Sequence, residues 1–168
     1  MRICVDTTIL LDILKDEFRI FQDKLYTALA KKENLVAPPM VFAQLMPQFK
    51  GNTTLLGEFL EEHKIAIEPL DINSTIAAAQ AWMRYLKRKT KVKCPECGRR
   101  LNLKEHFLSD FYIGGFASVK CSAILTRDRG IYARYFPALV GYEDCLKARA
   151  LHNHFSRHSG ENRNPGSA

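Results

Sequence analysis

The chain has 168 residues, 46% hydrophobic and 26% charged, which is enough for one well-buried domain, too short for two ordinary ones, and not a disordered composition. Its formal net charge of +7 favours polyanionic partners, and no apolar run approaches the ~20 residues of a membrane span. The opening MRICVDTTILLDIL is interrupted by Asp6 and has no small-residue cleavage site after it, so a secretory leader is not expected and the cytoplasm is.

In chain order, ICVDT (3–7) reads as a buried strand, and TILLDIL then turns to helical spacing. Residues 18–33 carry Phe18, Phe21, Leu25 and Leu29 at the 3.6-residue period of an amphipathic helix. NLVAPP (34–39) is a second strand stopped by prolines, and MVFAQLMPQF begins a helix broken near Pro47. Asn52 or Thr53 caps a helix through Leu60, residues 64–71 form a third strand, and 73–89 form a long helix capped by Asn73 or Ser74. The stretch 90–104 breaks this rhythm as a Cys-rich basic insertion. Residues 109–120 are a helix whose Gly114 and Gly115 permit close packing against a sheet, and SAILTRD (122–128) is a strand ending in an acid. ALVGYED (138–144) reads as a last strand before a short helix from Cys145. The domain thus spans 1–150. A tail over 151–168 is expected to be disordered, its end having no aliphatic larger than alanine and no aromatic.

Strands alternating with helices predict an α/β fold: three layers, with a central, mostly parallel sheet between helices. Ligands of such sheets bind beyond the C-terminal strand ends. Asp6 and Asp128 both end strands and so reach one edge of the sheet. Asp110 opens a helix, where it is a candidate third member or simply a cap. Asp128 in TRDRG is alternatively a turn residue. Clustered carboxylates repel unless a cation lies among them, and oxygen donors suit Mg²⁺ or Mn²⁺.

The segments VDTTILLDIL, HFLSDFYIGGFA and AILTRDRGIYARYFP resemble the characteristic blocks of PIN domains, most closely those of VapC-type toxins of toxin–antitoxin pairs, over roughly residues 2–140. The resemblance implies a PIN-like fold and a metal-dependent endoribonuclease, a homodimer held inactive by a cognate antitoxin. It carries the family's acids onto Asp6, Asp110 and Asp128 and its hydroxyl residues onto Thr8 and Thr126, both expected to position water. The remaining family acid, a glutamate, falls on Gln44, which brings no negative charge and implies weaker metal binding or reduced activity.

For the RNA backbone, the candidates are Arg88, Lys91, Lys93, Arg99 and Arg100 of the basic stretch, with Arg127 and Arg129. Tyr112 and Tyr132 are candidates for base stacking or core packing. KCPECGRR has the turn of a zinc knuckle, with Cys94, Cys97 and His106 as candidate ligands and His63, Cys121 or a residue of a second subunit as a fourth; a free thiol pair is the alternative. The odd count of five cysteines argues against a disulfide framework, and the tail histidines His152, His154 and His158 have no scaffold. Two other functions fit the same residues. One is a nucleic-acid-binding module without turnover, on which Gln44 bears. The other is an interaction subunit using Phe18, Phe21, Leu25, Phe42 and Leu45.

Overall fold

A computed structural model of the chain describes residues 1–89, 96, 108–139 and 141–144. Within them, four short strands form one parallel sheet: β1 (Arg2–Val5), β2 (Asn34–Ala37), β3 (Ile65–Ile67) and β4 (Ala123–Leu125). Their order is β3-β2-β1-β4. Each strand is an almost unbroken apolar run, as expected of a parallel sheet covered by helices. The connections are α1 (Thr7–Leu14), α2 (Arg19–Ala30), α3 (Pro39–Leu45), α4 (Thr53–Glu62), α5 (Ile72–Lys89) and α6 (Leu108–Lys120), with α7 (Arg129–Tyr135) after β4. The core fills around β1, whose Ile3, Cys4 and Val5 are fully buried, with Phe111 and Phe116 of α6 its largest side chains.

The chain runs outward from β1 through β2 to β3, then returns to lay β4 on the opposite side of β1. The order of strands therefore reverses between β1 and β4, and the crevice at a topological switch point opens at their C-terminal ends. Val5 pairs with Leu125 at that end, and the Asp6 amide donates to the Leu125 carbonyl at 3.0 Å, so the last rung places Asp6 and Thr126 side by side.

Local chemistry accounts for most boundaries. Pro39 opens α3, and Pro47 sits in the 3-10 turn (Met46–Phe49) that replaces the continuing helix. Asn52 caps α4 by accepting from the Leu55 amide at 3.1 Å. The cap of α5 differs from the expected Asn73 or Ser74. It is Asp71, which accepts from the Ser74 amide at 2.8 Å and pairs with Lys120, contacts that hold its carboxyl down at about 2. Among the described residues of the expected strand over 138–144, one parallel bridge, between Ile124 and Gly141, joins the sheet. Residues 90–95, 97–107, 140 and 145–168, which hold most of the basic insertion, the helix from Cys145 and the tail, lie outside the described residues.

Gly114 and Gly115 do pack closely, but not against the sheet. A Cβ at Gly115 would lie 2.4 Å from the Ser74 carbonyl oxygen and 2.8 Å from the Ala78 amide, both backbone of α5; one at Gly114 would strike the Phe136 ring. Gly115→Ala should therefore destabilise by roughly 1–3 kcal/mol, overpacking outweighing the ~1 kcal/mol gain in helix propensity. Gly57→Ala, where a new Cβ meets nothing within 4 Å, is the matched control and should be neutral or stabilising. Urea unfolding of the two variants, read as a change in midpoint, checks the contrast.

Candidate functional site

The site grows out of the β1 and β4 ends. Asp6 is 4% exposed, and its Oδ2 accepts from two hydroxyls, Thr8 at 2.8 Å and Thr126 at 2.6 Å. The same hydroxyl oxygens accept from the backbone, Thr8 from the Arg127 amide at 3.2 Å and Thr126 from the Asp128 amide at 3.1 Å. Each threonine thus spends its one proton on Asp6 and uses its lone pairs to fasten the Thr126–Asp128 turn. Thr8 and Thr126, expected to position water, here hold Asp6. Tyr132 is buried, as its core-packing reading expects, and its hydroxyl also lowers the Asp6 pKa. Tyr112 is packed against the core.

Burial drives the Asp6 pKa up, the Thr126 and Thr8 hydrogen bonds pull it down, and the nearby Asp110 charge raises it again. No positive charge appears among these influences. Asp110 lies in the first turn of α6, where the helix dipole favours an anion. Asp128 caps α7, accepting from the Gly130 amide at 3.2 Å, so its reading as a turn residue is also realised. Both are half-buried, and together with Asp6, Thr8 and Gln44 they line one cleft of about 370 Å³.

Gln44 joins the cleft from α3. Its side-chain carbonyl accepts from the Thr7 hydroxyl, and its amide donates to the Ser109 hydroxyl at 2.9 Å. The residue thereby ties α1 to α6 immediately beside Asp110. Thr7 and Ser109 escaped sequence reasoning because their only distinguishing feature is adjacency to a candidate ligand.

A divalent cation fits this donor set. The groups are carboxylates, hydroxyls and an amide carbonyl, all hard oxygen donors, and Asp6 is a buried acid with no cation to offset it. Among the described residues, no three His, Cys, Asp or Glu side chains close into a ready-made cluster.

The basic candidates divide. Arg127 is committed: its guanidinium contacts Asp12 Oδ1 at 3.0 Å and lies 4.3 Å from the centre of the Phe18 ring. Thr8 and Asp12 share one face of α1, so that face grips the 126–128 turn by its backbone and by its arginine. Arg129 pairs with Glu143, while Arg88 is exposed on α5. Lys91, Lys93, Arg99, Arg100, Cys94, Cys97 and His106 lie outside the described residues. Two of the suggested fourth zinc ligands lie among the described residues. His63 caps α4, with Nδ1 2.8 Å from the Phe59 carbonyl, and Cys121 meets the Cys4 thiol. Nor do the five apolar residues expected to form an interaction patch stand together, since Leu25 and Leu45 are fully buried.

Burial raises the Asp12 pKa and Arg127 lowers it in part. The acid is 1% exposed, and its Oδ2 has no hydrogen-bond partner. Arg127→Ala should cost about 2–3 kcal/mol at pH 7, less than the ~3–5 of a fully buried pair because the arginine is about a third exposed. An acid whose folded pKa is raised binds its proton more readily folded than unfolded, so its penalty shrinks as pH falls through that raised value. The deficit of the variant against wild type should therefore narrow from pH 7 to pH 4.5 in paired urea titrations; a constant deficit would contradict the assignment.

Among the described residues, no helix is long and apolar enough to cross a membrane. No protein-family model and no curated protein sequence matches the chain. In structure, the chain is similar to a chain of the crystal structure of VapBC2 from Rickettsia felis bound to a DNA fragment from their promoter. The match has 14% identity and a TM-score of 0.57, covering 83% of this chain and 96% of that one. The parallel sheet, its order and this likeness together give the chain a VapC-like α/β fold.

Proposed function

We propose that the chain is a Mg²⁺- or Mn²⁺-dependent endoribonuclease that hydrolyses RNA phosphodiester bonds, acting as the toxin of a toxin–antitoxin pair. The observation that carries this reading is Asp6: a buried carboxylate at the switch point, held by Thr8 and Thr126 and sharing a cleft with Asp110 and Asp128. Burying an acid beside other acids costs free energy, and that cost supports a functional reading of the site. The structural likeness to VapBC2 supports the same reading and is the reason for expecting an antitoxin partner.

Asp6 would be the principal ligand, with Asp128 and Asp110 holding the ion directly or through water. A bound ion supplies a water of lowered pKa and positive charge against the phosphate. The chain's own residues do the rest. Thr8, Thr126 and Tyr132 keep the Asp6 carboxylate in one orientation, so nothing need reorganise when charge develops. Asp110, half-buried at a helix start, would ligate the ion or take the proton of the attacking water. Arg88 on the exposed end of α5 continues into the basic insertion and would contact the RNA backbone.

The second reading, RNA binding without turnover, is favoured by one observation: Gln44 is already satisfied as a neutral bridge between Thr7 and Ser109. One experiment separates the two. Purified chain with Mn²⁺ and labelled single-stranded RNA should produce discrete fragments that vanish with EDTA and return on adding excess Mn²⁺. RNA retained in a gel shift but left intact under all three conditions would favour the binding module.

A further inference from the structure

Beyond Tyr132, which also lines the acidic cleft, lies a second cavity of about 240 Å³, between α7, β4 and residues 137, 139 and 141–144. Its volume is below the ~300–1,000 Å³ of pockets for drug-sized ligands, which suits a single ring system. Leu125, Pro137, Leu139 and Tyr142 give it apolar walls. Its charges cancel: Lys24 and Arg129 both bind Glu143, one on each carboxylate oxygen, and Asp144 completes an equal number of acids and cations. A cavity that is mostly apolar, with no net formal charge in its lining and sized for one ring, favours a neutral planar group over a free anion.

Its position says which neutral group. Thr126 and Tyr132 line this cavity and also donate to Asp6, so an occupant sits one side chain away from the candidate metal ligand. The base of a nucleotide is joined to its phosphate across one sugar. We propose that this cavity is a nucleobase subsite, receiving an unstacked base of the RNA strand whose phosphodiester lies at Asp6. The proposal rests on the reading of the acidic cleft as a phosphodiester site. Base recognition here would use the same means as other single-strand readers, apolar and aromatic faces for the ring and polar rim atoms for its edge.

The test uses the full chain and the four uncharged ribonucleosides in EDTA, so that neither a metal nor a phosphate contributes. At least one nucleoside should bind with millimolar affinity and shift the NMR signals of Ala133, Leu139 and Tyr142. Ala133 lines the cavity but is itself solvent-exposed, so Ala133→Phe plugs it from the rim. The variant should weaken binding by about tenfold or more. In RNA cleavage it should change which bonds are cut while leaving Mn²⁺ binding unaltered. No binding by any nucleoside, or shifts confined to other residues, would overturn the proposal, and this holds even if Ala133→Phe fails to fold. Nucleoside binding with no RNA cleavage would keep the cavity and remove the nuclease; cleavage with no nucleoside binding would do the reverse.

Discussion

Asp6→Asn should abolish RNA cleavage and, in the metal-free protein, raise stability. The two effects have one cause. Asp6 is almost wholly buried, and its pKa is raised first by that burial and then by Asp110, so ionised Asp6 weakens the fold at neutral pH. Asparagine keeps a carbonyl oxygen for the Thr8 and Thr126 hydroxyls and removes the charge. The gain should fall within the roughly 0.5–2 kcal/mol of single stabilising substitutions. It should shrink as pH falls through the raised Asp6 pKa, because protonation relieves the wild type in the same way. Metal reverses the order. Wild type should gain about 2.7 kcal/mol at Mn²⁺ a hundredfold above Kd, and the variant almost nothing. Cleavage should drop by more than the roughly 10–100-fold lost when only an outer partner of a ligand is removed. Thermal melts with and without Mn²⁺ at two pH values, alongside the cleavage assay, read all of this. Equal Mn²⁺ stabilisation of both proteins would remove Asp6 from the metal site.

Strand-end acids could be read from the sequence because a parallel strand is a nearly pure apolar run, so an acid such as Asp6 after ICV marks both its end and its edge. Once β1 and β4 are adjacent, Asp6 and Thr126 follow as neighbours. What the pattern of residues does not contain is the partner each polar group chooses across the chain. Arg127 looks like a phosphate contact in a basic TRDR segment, yet Asp12, far away in sequence and buried on α1, claims it. For Thr8 and Thr126 the pattern does not show where each hydroxyl's single proton goes, and it goes to Asp6. Gly114 and Gly115 predict close approach without saying to what, and the answer is α5 and Phe136. The 138–144 segment has apolar residues enough for a strand, but among its described residues only Gly141 bridges to β4.

Gln44→Glu is the sharpest test of how far this site departs from full activity. Gln44 now accepts from Thr7 and donates to Ser109. A glutamate still accepts from Thr7, while the Ser109 hydroxyl must rotate to become a donor, which costs little because its hydrogen turns freely. The larger consequence is charge. A further carboxylate enters a cleft that already holds Asp6, Asp110 and Asp128, and like charges without a cation oppose one another. The metal-free variant should therefore melt below wild type. With Mn²⁺ the added charge becomes attraction, and the affinity should rise by about 10–100-fold, the scale on which a single group tunes a metal site. Cleavage at limiting Mn²⁺ should increase accordingly, and the two proteins should converge as the metal saturates. Gln44→Ala separates charge from bridging: it breaks the tie between α1 and α6 without adding an acid, so it should lower both stability and cleavage. If Gln44→Glu binds Mn²⁺ no more tightly than wild type, the residue is only a strut between two helices. The weak point of the catalytic reading would then lie elsewhere than in the missing acid.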